Sequence, residues 1–165
     1  MTDSPKVSAR IKLDKIDRSI LRDLQDDGRM TNVDLAKRAG ISAPPCLRRV
    51  RHLEEIGLIK SYHAHTDAAA LGFPVTVFTS VKLSVINDTE IQKFEENIAG
   101  WDRIREAYMM TGDNDYLLKI VARDWDDYQN FLTGHLMKSP NVSSVKSSLS
   151  VKVTKLKPGV PISDA

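Results

Sequence analysis

Residues 32–51, NVDLAKRAGISAPPCLRRVR, decide the fold of the amino-terminal part of this chain. Leu35, Ala36 and Ala39 recur at helical spacing behind a cap at Thr31 or Asn32, and Gly40 ends that short helix. A second helix opens after Ser42 and runs to about Ile56, where Gly57 stops it. Prolines stand in its first turn, where a missing N–H costs little. Between the two helices lies Ala39-Gly40-Ile41-Ser42, with Gly40 supplying the sharp turn, and this spacing predicts a helix-turn-helix. Upstream, Ile16, Ile20, Leu21 and Leu24 give a further helix one apolar face, between a cap at Asp14 and a stop at Gly28. Residues 1–12 are polar and read as a flexible tail.

The helix after Ser42 separates into faces on a helical wheel. With Val50 taken as the inward direction, Cys46 and Leu53 lie near it and Leu47 slightly to the other side. Arg48 and His52 then point outward, flanked by Pro45, Arg49 and Arg51. A free helix N-terminus and an outward basic stripe suit a DNA major groove, where Arg pairs bidentately with guanine and outlying Lys and Arg neutralise phosphates. Ser42 can cap this helix and leave other N–H groups for a phosphate. Lys37 and Arg38, on the helix before, can flank the same groove. The competing reading is a solvated face balanced by Glu54 and Glu55; the three-helix context and the glycine turn favour the DNA-facing one. The candidate DNA contacts are Asn32, Lys37, Arg38, Ser42, Pro45, Arg48, Arg49, Arg51 and His52.

Past Gly57 the period changes. Ile59 to Thr66 looks extended, Asp67 to Gly72 is turn-like, and Phe73-Pro74 closes the segment, which places a domain boundary at 74. A strand follows with Val75, Val77, Thr79, Val81 and Leu83 on one face, then a helix from Asn87 to Gly100 whose Asn87 and Glu90 resemble a capping box. Strands are expected over 104–111 and 116–122, joined by Gly112-Asp113-Asn114-Asp115. A helix capped by Asp124 carries Tyr128, Phe131, Leu132, His135 and Leu136 at helical spacing. The last strand is expected from about Val145 to Lys155, with apolar odd positions and polar even ones. The order β-α-β-β-α-β predicts a ferredoxin-like α+β domain over 75–157, a four-stranded antiparallel sheet with both helices on one face, followed by a tail, 158–165. Its other face needs solvent or a partner, which points to a dimer.

Composition narrows the function. A net charge of +2 argues nothing alone, so the case rests on where the charge sits. One cysteine, Cys46, makes no internal disulfide and suits a reducing compartment. Neither a secretory signal nor a membrane span is visible, so a cytoplasmic protein is expected. His63 and His65 share a strand face without an evident third metal ligand, and Asp113 and Asp115 lack a phosphate-binding glycine loop. With no nucleophile-base-orienter set, no catalytic residue, metal or cofactor is assigned and an enzyme is not expected.

Residues 13–62, LDKIDRSILRDLQDDGRMTNVDLAKRAGISAPPCLRRVRHLEEIGLIKSY, closely resemble the DNA-binding domain of the Lrp/AsnC (feast/famine) family, nearest its leucine-responsive branch. The resemblance continues through TGDNDYLLKI, 111–120, and covers about 13–156. It implies a winged helix-turn-helix joined by a hinge strand to a ferredoxin-like effector (RAM) domain, and a regulator that binds double-stranded DNA as dimers assembling further, often to octamers. Pro45 departs from the Thr often found in relatives and brings no hydroxyl. By residue type alone Gly112–Asp115 is a plain hairpin turn. The resemblance makes it the effector loop, with Thr111, Gly112, Asp113 and Asp115 beside an amino acid such as leucine or methionine, and Ser148, Leu149 and Ser150 contributing from the last strand. A stand-alone amino-acid-binding module, with the first domain serving protein contacts, is the alternative function.

Overall fold

The computed structural model describes residues 11–163, so the expected amino-terminal tail lies outside them except for Ile11 and Lys12. The chain divides into two compact units, one running up to His65 and including the segment from Lys155 on, the other Thr66–Thr154.

The first unit holds α1 (Lys15–Asp26), α2 (Asn32–Arg38) and α3 (Ala43–Glu55). Each begins where its sequence supplies a cap. Asp14 and Asp17 form a reciprocal capping box on α1, and the Thr31 hydroxyl accepts from the Asp34 N–H on α2. Ser42 occupies the N-cap position of α3, but its hydroxyl makes no capping bond there; prolines fill the first turn, where N–H donors are fewer. Gly40 turns the chain with φ +69°, and the Ile41 N–H bonds back to the Ala36 carbonyl. Ile20, Leu35, Ala36, Cys46 and Leu53 form the buried centre of this unit. Burial pushes the Cys46 thiol up, which suits packing rather than reactivity.

In the second unit, β1 (Val75–Leu83), α4 (Asp88–Ala99), β2 (Ile104–Met109), β3 (Tyr116–Ala122), α5 (Trp125–Gly134) and β4 (Val142–Leu149) follow in the expected order. The antiparallel sheet runs β2-β3-β1-β4. Val77, Val81, Leu118 and Ile120 share one core with Phe94 and Ile98 of α4 and Tyr128 and Phe131 of α5, so both helices cover the same face. Within that core, the Thr79 and Tyr128 hydroxyls bond at 3.0 Å, and Tyr128 also bonds the Ser147 hydroxyl, tying β1, α5 and β4 together. The opposite face carries Phe78, Tyr108, Leu117 and Val121 around a Glu106–Lys119 ion pair, and neither helix of this unit covers it.

Three expectations are corrected. Residues 59–66 form no strand, because among the described residues none pairs with them. α5 stops at Gly134, and Leu136 reaches the core from one turn of 3-10 helix, Leu136–Lys138. The last strand ends at Leu149 rather than near Lys155. Its partner is β1, where Leu149 faces Val77 and the Ser150 N–H takes the Thr76 carbonyl; beyond that β1 is at its start and the alternation of 151–155 meets nothing. Val151 is consequently 95% exposed. Among the described residues no helix is long and apolar enough to cross a membrane.

Candidate nucleic-acid interface and ligand turn

The exposed side of α3 is a continuous stripe, Pro44, Leu47, Arg48, Arg51, His52 and Glu55, at steps of three and four residues. With Asp17 and Arg49 it borders an open groove of about 710 Å³. The inward direction is set by Cys46 and Leu53, both fully buried, while Val50 is only half-buried. This turns the wheel by about 50° from the one centred on Val50. Two side chains change sides as a result. Leu47, 40% exposed, joins the outward stripe. Arg49 swings toward α1, where its Nη1 donates to Asp14 Oδ2 and Asp17 Oδ1, both at 2.7 Å.

Arg49 is therefore committed within the unit. The Asp17 and Asp14 carboxylates hold its guanidinium more firmly protonated than usual. The backbone N–H of Asp17 and, after it, Arg49 keep the Asp14 carboxyl below the ordinary range. Its neighbours differ: Arg48 and Arg51 are exposed and make no ion pair among the described residues. Lys37 is likewise exposed, whereas Arg38 reaches Asp23 at 3.2 Å. Asn32 ties the helix-turn-helix together, its Nδ2 donating to the Ala43 carbonyl at 2.9 Å, and its buried Oδ1 has no partner among the described residues. Pro45 is half-buried on the Arg49 side; Ser42 and His52 are exposed.

In the second unit the β2–β3 turn is exposed at Thr111, Gly112 and Asp113. Gly112 has φ +116°, a conformation that side chains resist. The N–H groups of Gly112 and Asp113 make no hydrogen bond among the described residues. Asp115 behaves differently from Asp113. Its N–H donates to the Val81 carbonyl, and its Oδ2 accepts from the Leu83 N–H at 2.7 Å, locking the turn to the end of β1. Ser148, Leu149 and Ser150 lie toward the other end of β1, level with 76–78. Along β1 these levels lie three to five residue steps from Val81, about 10 to 17 Å. One chain does not bring the turn and these three residues together.

The roles of Asp14, Asp17, Leu47 and the Asp115–Leu83 bond were not anticipated from sequence. The capping pattern at Asp14 was visible, but nothing local links it to Arg49.

Comparison with known proteins follows the two units. Residues 13–60 match the family model described as winged helix-turn-helix DNA-binding, and residues 76–160 match the Lrp/AsnC ligand binding domain. The chain is 47% identical over 146 residues to a leucine-responsive regulatory protein of Rhizobium meliloti, covering 88% of this chain and 94% of that one. A transcriptional regulator of Neisseria meningitidis solved as an L-methionine complex superposes with a TM-score of 0.87 at 31% identity, over 91% of this chain and 97% of that one. An AsnC family transcriptional regulator of Agrobacterium tumefaciens gives a TM-score of 0.84 at 34% identity, over 90% and 97%.

Proposed function

The chain belongs to the Lrp/AsnC family of transcription regulators, not to an enzyme family, and from that premise we propose how it reads DNA and senses its effector. The exposed stripe of α3 enters the major groove of double-stranded DNA. Arg48 and Arg51 supply base and phosphate contacts, with His52 beside them, Lys37 and Arg38 at the flank, and the Ser42 hydroxyl toward a phosphate. Arg49 and Asn32 act indirectly, by fixing α3 on α1 and α2; Pro45 packs beside Arg49. The observation that carries this reading is that Arg48 and Arg51 are unpaired among the described residues while Arg49 between them is held by two carboxylates.

The effector is an amino acid. A hydrophobic or sulfur-containing one, leucine or methionine, is the specific proposal, supported by the methionine complex of the Neisseria regulator. The unpaired N–H groups at Gly112 and Asp113 suit its carboxylate, the Asp113 side chain its ammonium group, and Thr111 lines the site. Asp115 positions the turn. Because Ser148, Leu149 and Ser150 lie about 10 to 17 Å away along the sheet, they complete the site from another copy of the chain. Copies first pair through the uncovered sheet face at Phe78, Tyr108, Leu117 and Val121, and the dimers assemble further to an octamer. Residues 13–74 thus form the reading domain and its hinge, 75–157 the sensing domain, and the protein works in the cytoplasm.

Fluorescence anisotropy on mixed duplex DNA across a salt series tests the first part; binding that falls steeply with salt is expected, and a flat salt response or no binding rejects it. Thermal shifts with each of the twenty amino acids test the second, and the absence of a shift with every apolar one would sink it.

A further inference from the structure

The carboxyl-terminal segment, which falls within the family match only as far as Val160, packs along α1. Gln25 spends its whole carboxamide on one tail residue: Nε2 donates to the Val160 carbonyl at 3.0 Å and Oε1 accepts from the Val160 N–H at 2.9 Å. Arg18 Nη1 donates to the Ser163 carbonyl at 3.3 Å, and Lys157 Nζ lies 3.5 Å from Asp26 Oδ1. Arg18, Gln25 and Asp26 share one face of α1, and the tail runs along it in the opposite direction. Gly159 has φ +73°, and a Cβ there would collide with the Gln25 carboxamide. Pro158-Gly159 is the residue order that a turn with positive φ at its third position requires, so this turn is shaped to the helix it meets.

The same helix uses Asp14 and Asp17 to hold Arg49 of α3. Contacts therefore run from the tail through α1 to the reading helix. The chain also passes between the two units twice. One crossing is 60–66, after Ile59, whose N–H is bonded to the Leu53 carbonyl. The other is 151–156, between Ser150 on β1 and Lys157 on α1. Neither spans more than about 24 Å even fully extended. Val151, Val153 and Leu156 in the second crossing are exposed, and none of them packs into a core among the described residues.

We infer that residues 157–163 are a clasp, which makes the carboxyl-terminal chain a second tether between the sensing sheet and the DNA-reading unit. A unit held at one point swivels about it; held at two, it keeps a restricted set of positions. This rests on the proposed reading of DNA by paired copies, and its consequence there is discrimination between half-site spacings. The second tether leaves the sheet at Ser150, beside the proposed effector residues of β4, so a shift of that strand pulls on α1 directly.

The test compares the intact chain with a truncation after Leu156 and with Gln25→Ala and Gly159→Ala. The probes are duplexes carrying a half-site enriched from a randomised pool by the intact chain, singly or in pairs whose separation is stepped by one base pair over one helical turn, roughly 34 Å. The intact chain is expected to prefer its best spacing over its worst by about tenfold or more, and each variant by about threefold or less, with single-half-site affinity unchanged within about twofold. Amide exchange at Val160 should accelerate by about tenfold or more in Gln25→Ala. An unaltered spacing profile, or an equal loss on the single half-site, overturns the tether, the latter because it would mark plain support of the fold. Unaltered Val160 exchange overturns the clasp itself. If no duplex is enriched at all, the DNA reading fails instead, and the exchange measurement still judges the clasp.

Discussion

Arg48 and Arg49 are adjacent and chemically identical, yet their replacement is expected to have opposite effects. Arg49→Ala removes two bonds inside the first unit. The one to Asp17, whose side chain is 18% exposed, is 2.7 Å long and is worth about 1–1.5 kcal/mol as a charge-assisted contact in a half-buried setting. The one to Asp14, 51% exposed, adds about 0.5 kcal/mol after solvent screening. The total, about 2 kcal/mol, lowers the melting temperature of a unit this size by roughly 8–16 °C. The effect carries a pH signature. The Asp14 carboxyl is held below its ordinary range by the Asp17 N–H and by Arg49. A depressed folded-state value contributes stability above the unfolded pKa, about 3.9, and loses it as pH falls through the folded value, so parent and variant converge in acid. Arg48→Ala, exposed and unpaired, should move stability by no more than about 0.5 kcal/mol. It should cost about 1–3 kcal/mol on cognate DNA and less on random duplex. Melting curves from pH 7 to pH 3, paired with anisotropy on both duplexes, measure all four quantities. If Arg49→Ala melts like its parent and behaves like Arg48→Ala on DNA, the assignment of Arg49 to the interior of the unit is wrong.

Three further outcomes separate roles within each site. Asp115→Ala should cost about 1–2 kcal/mol, because the Leu83 N–H loses its acceptor, and should abolish the amino-acid thermal shift; Asp113→Ala should abolish the shift with stability intact, and equal stability of the two variants would contradict this split. Leu47 is exposed on the stripe, and the proposed docking sets it against a thymine methyl: exchanging the contacted thymine for deoxyuridine should weaken the parent by about 0.8 kcal/mol, roughly fourfold, and leave Leu47→Ala unaffected. A fourfold loss in both chains would assign the methyl contact elsewhere. Asp127 accepts from Arg123 through side chain and backbone and also from Arg103, in that order of influence, which holds its carboxyl down to about 2. Its stabilisation should be complete above about pH 4 and fade toward pH 2, so a denaturation gap between parent and Asp127→Asn that stays constant over that range would count against the ion-pair account.

Local signals were legible because they act within one turn of helix. Asp14, Thr31, Asn87 and Asp124 all cap the helices whose starts they mark, and each accepts the backbone N–H expected of it. The alternation in β1 places Val77, Thr79, Val81 and Leu83 on the inner face, where the sheet has them. The same alternation misled at 151–155, since periodicity states that a segment can lie in a sheet and not whether a neighbour is there to pair with it. The wheel for α3 was turned because Val50 and Leu53 are equally apolar on paper; only packing against α1 and α2 ranks them.

By itself, then, the sequence determined the helix-turn-helix, the β-α-β-β-α-β order and the exposed turn at Gly112. These depend on caps, glycine conformations and hydrophobic period, all set by residues within a few positions of one another. Tertiary structure decided which arginine is spent. Asp14 and Arg49 are 35 positions apart, and so nearly are Asp115 and Leu83, while Gln25 and Val160 lie 135 apart. A charge or amide has no preferred partner until the fold closes that distance, and the bond it then makes withdraws it from the surface that reads DNA or ligand.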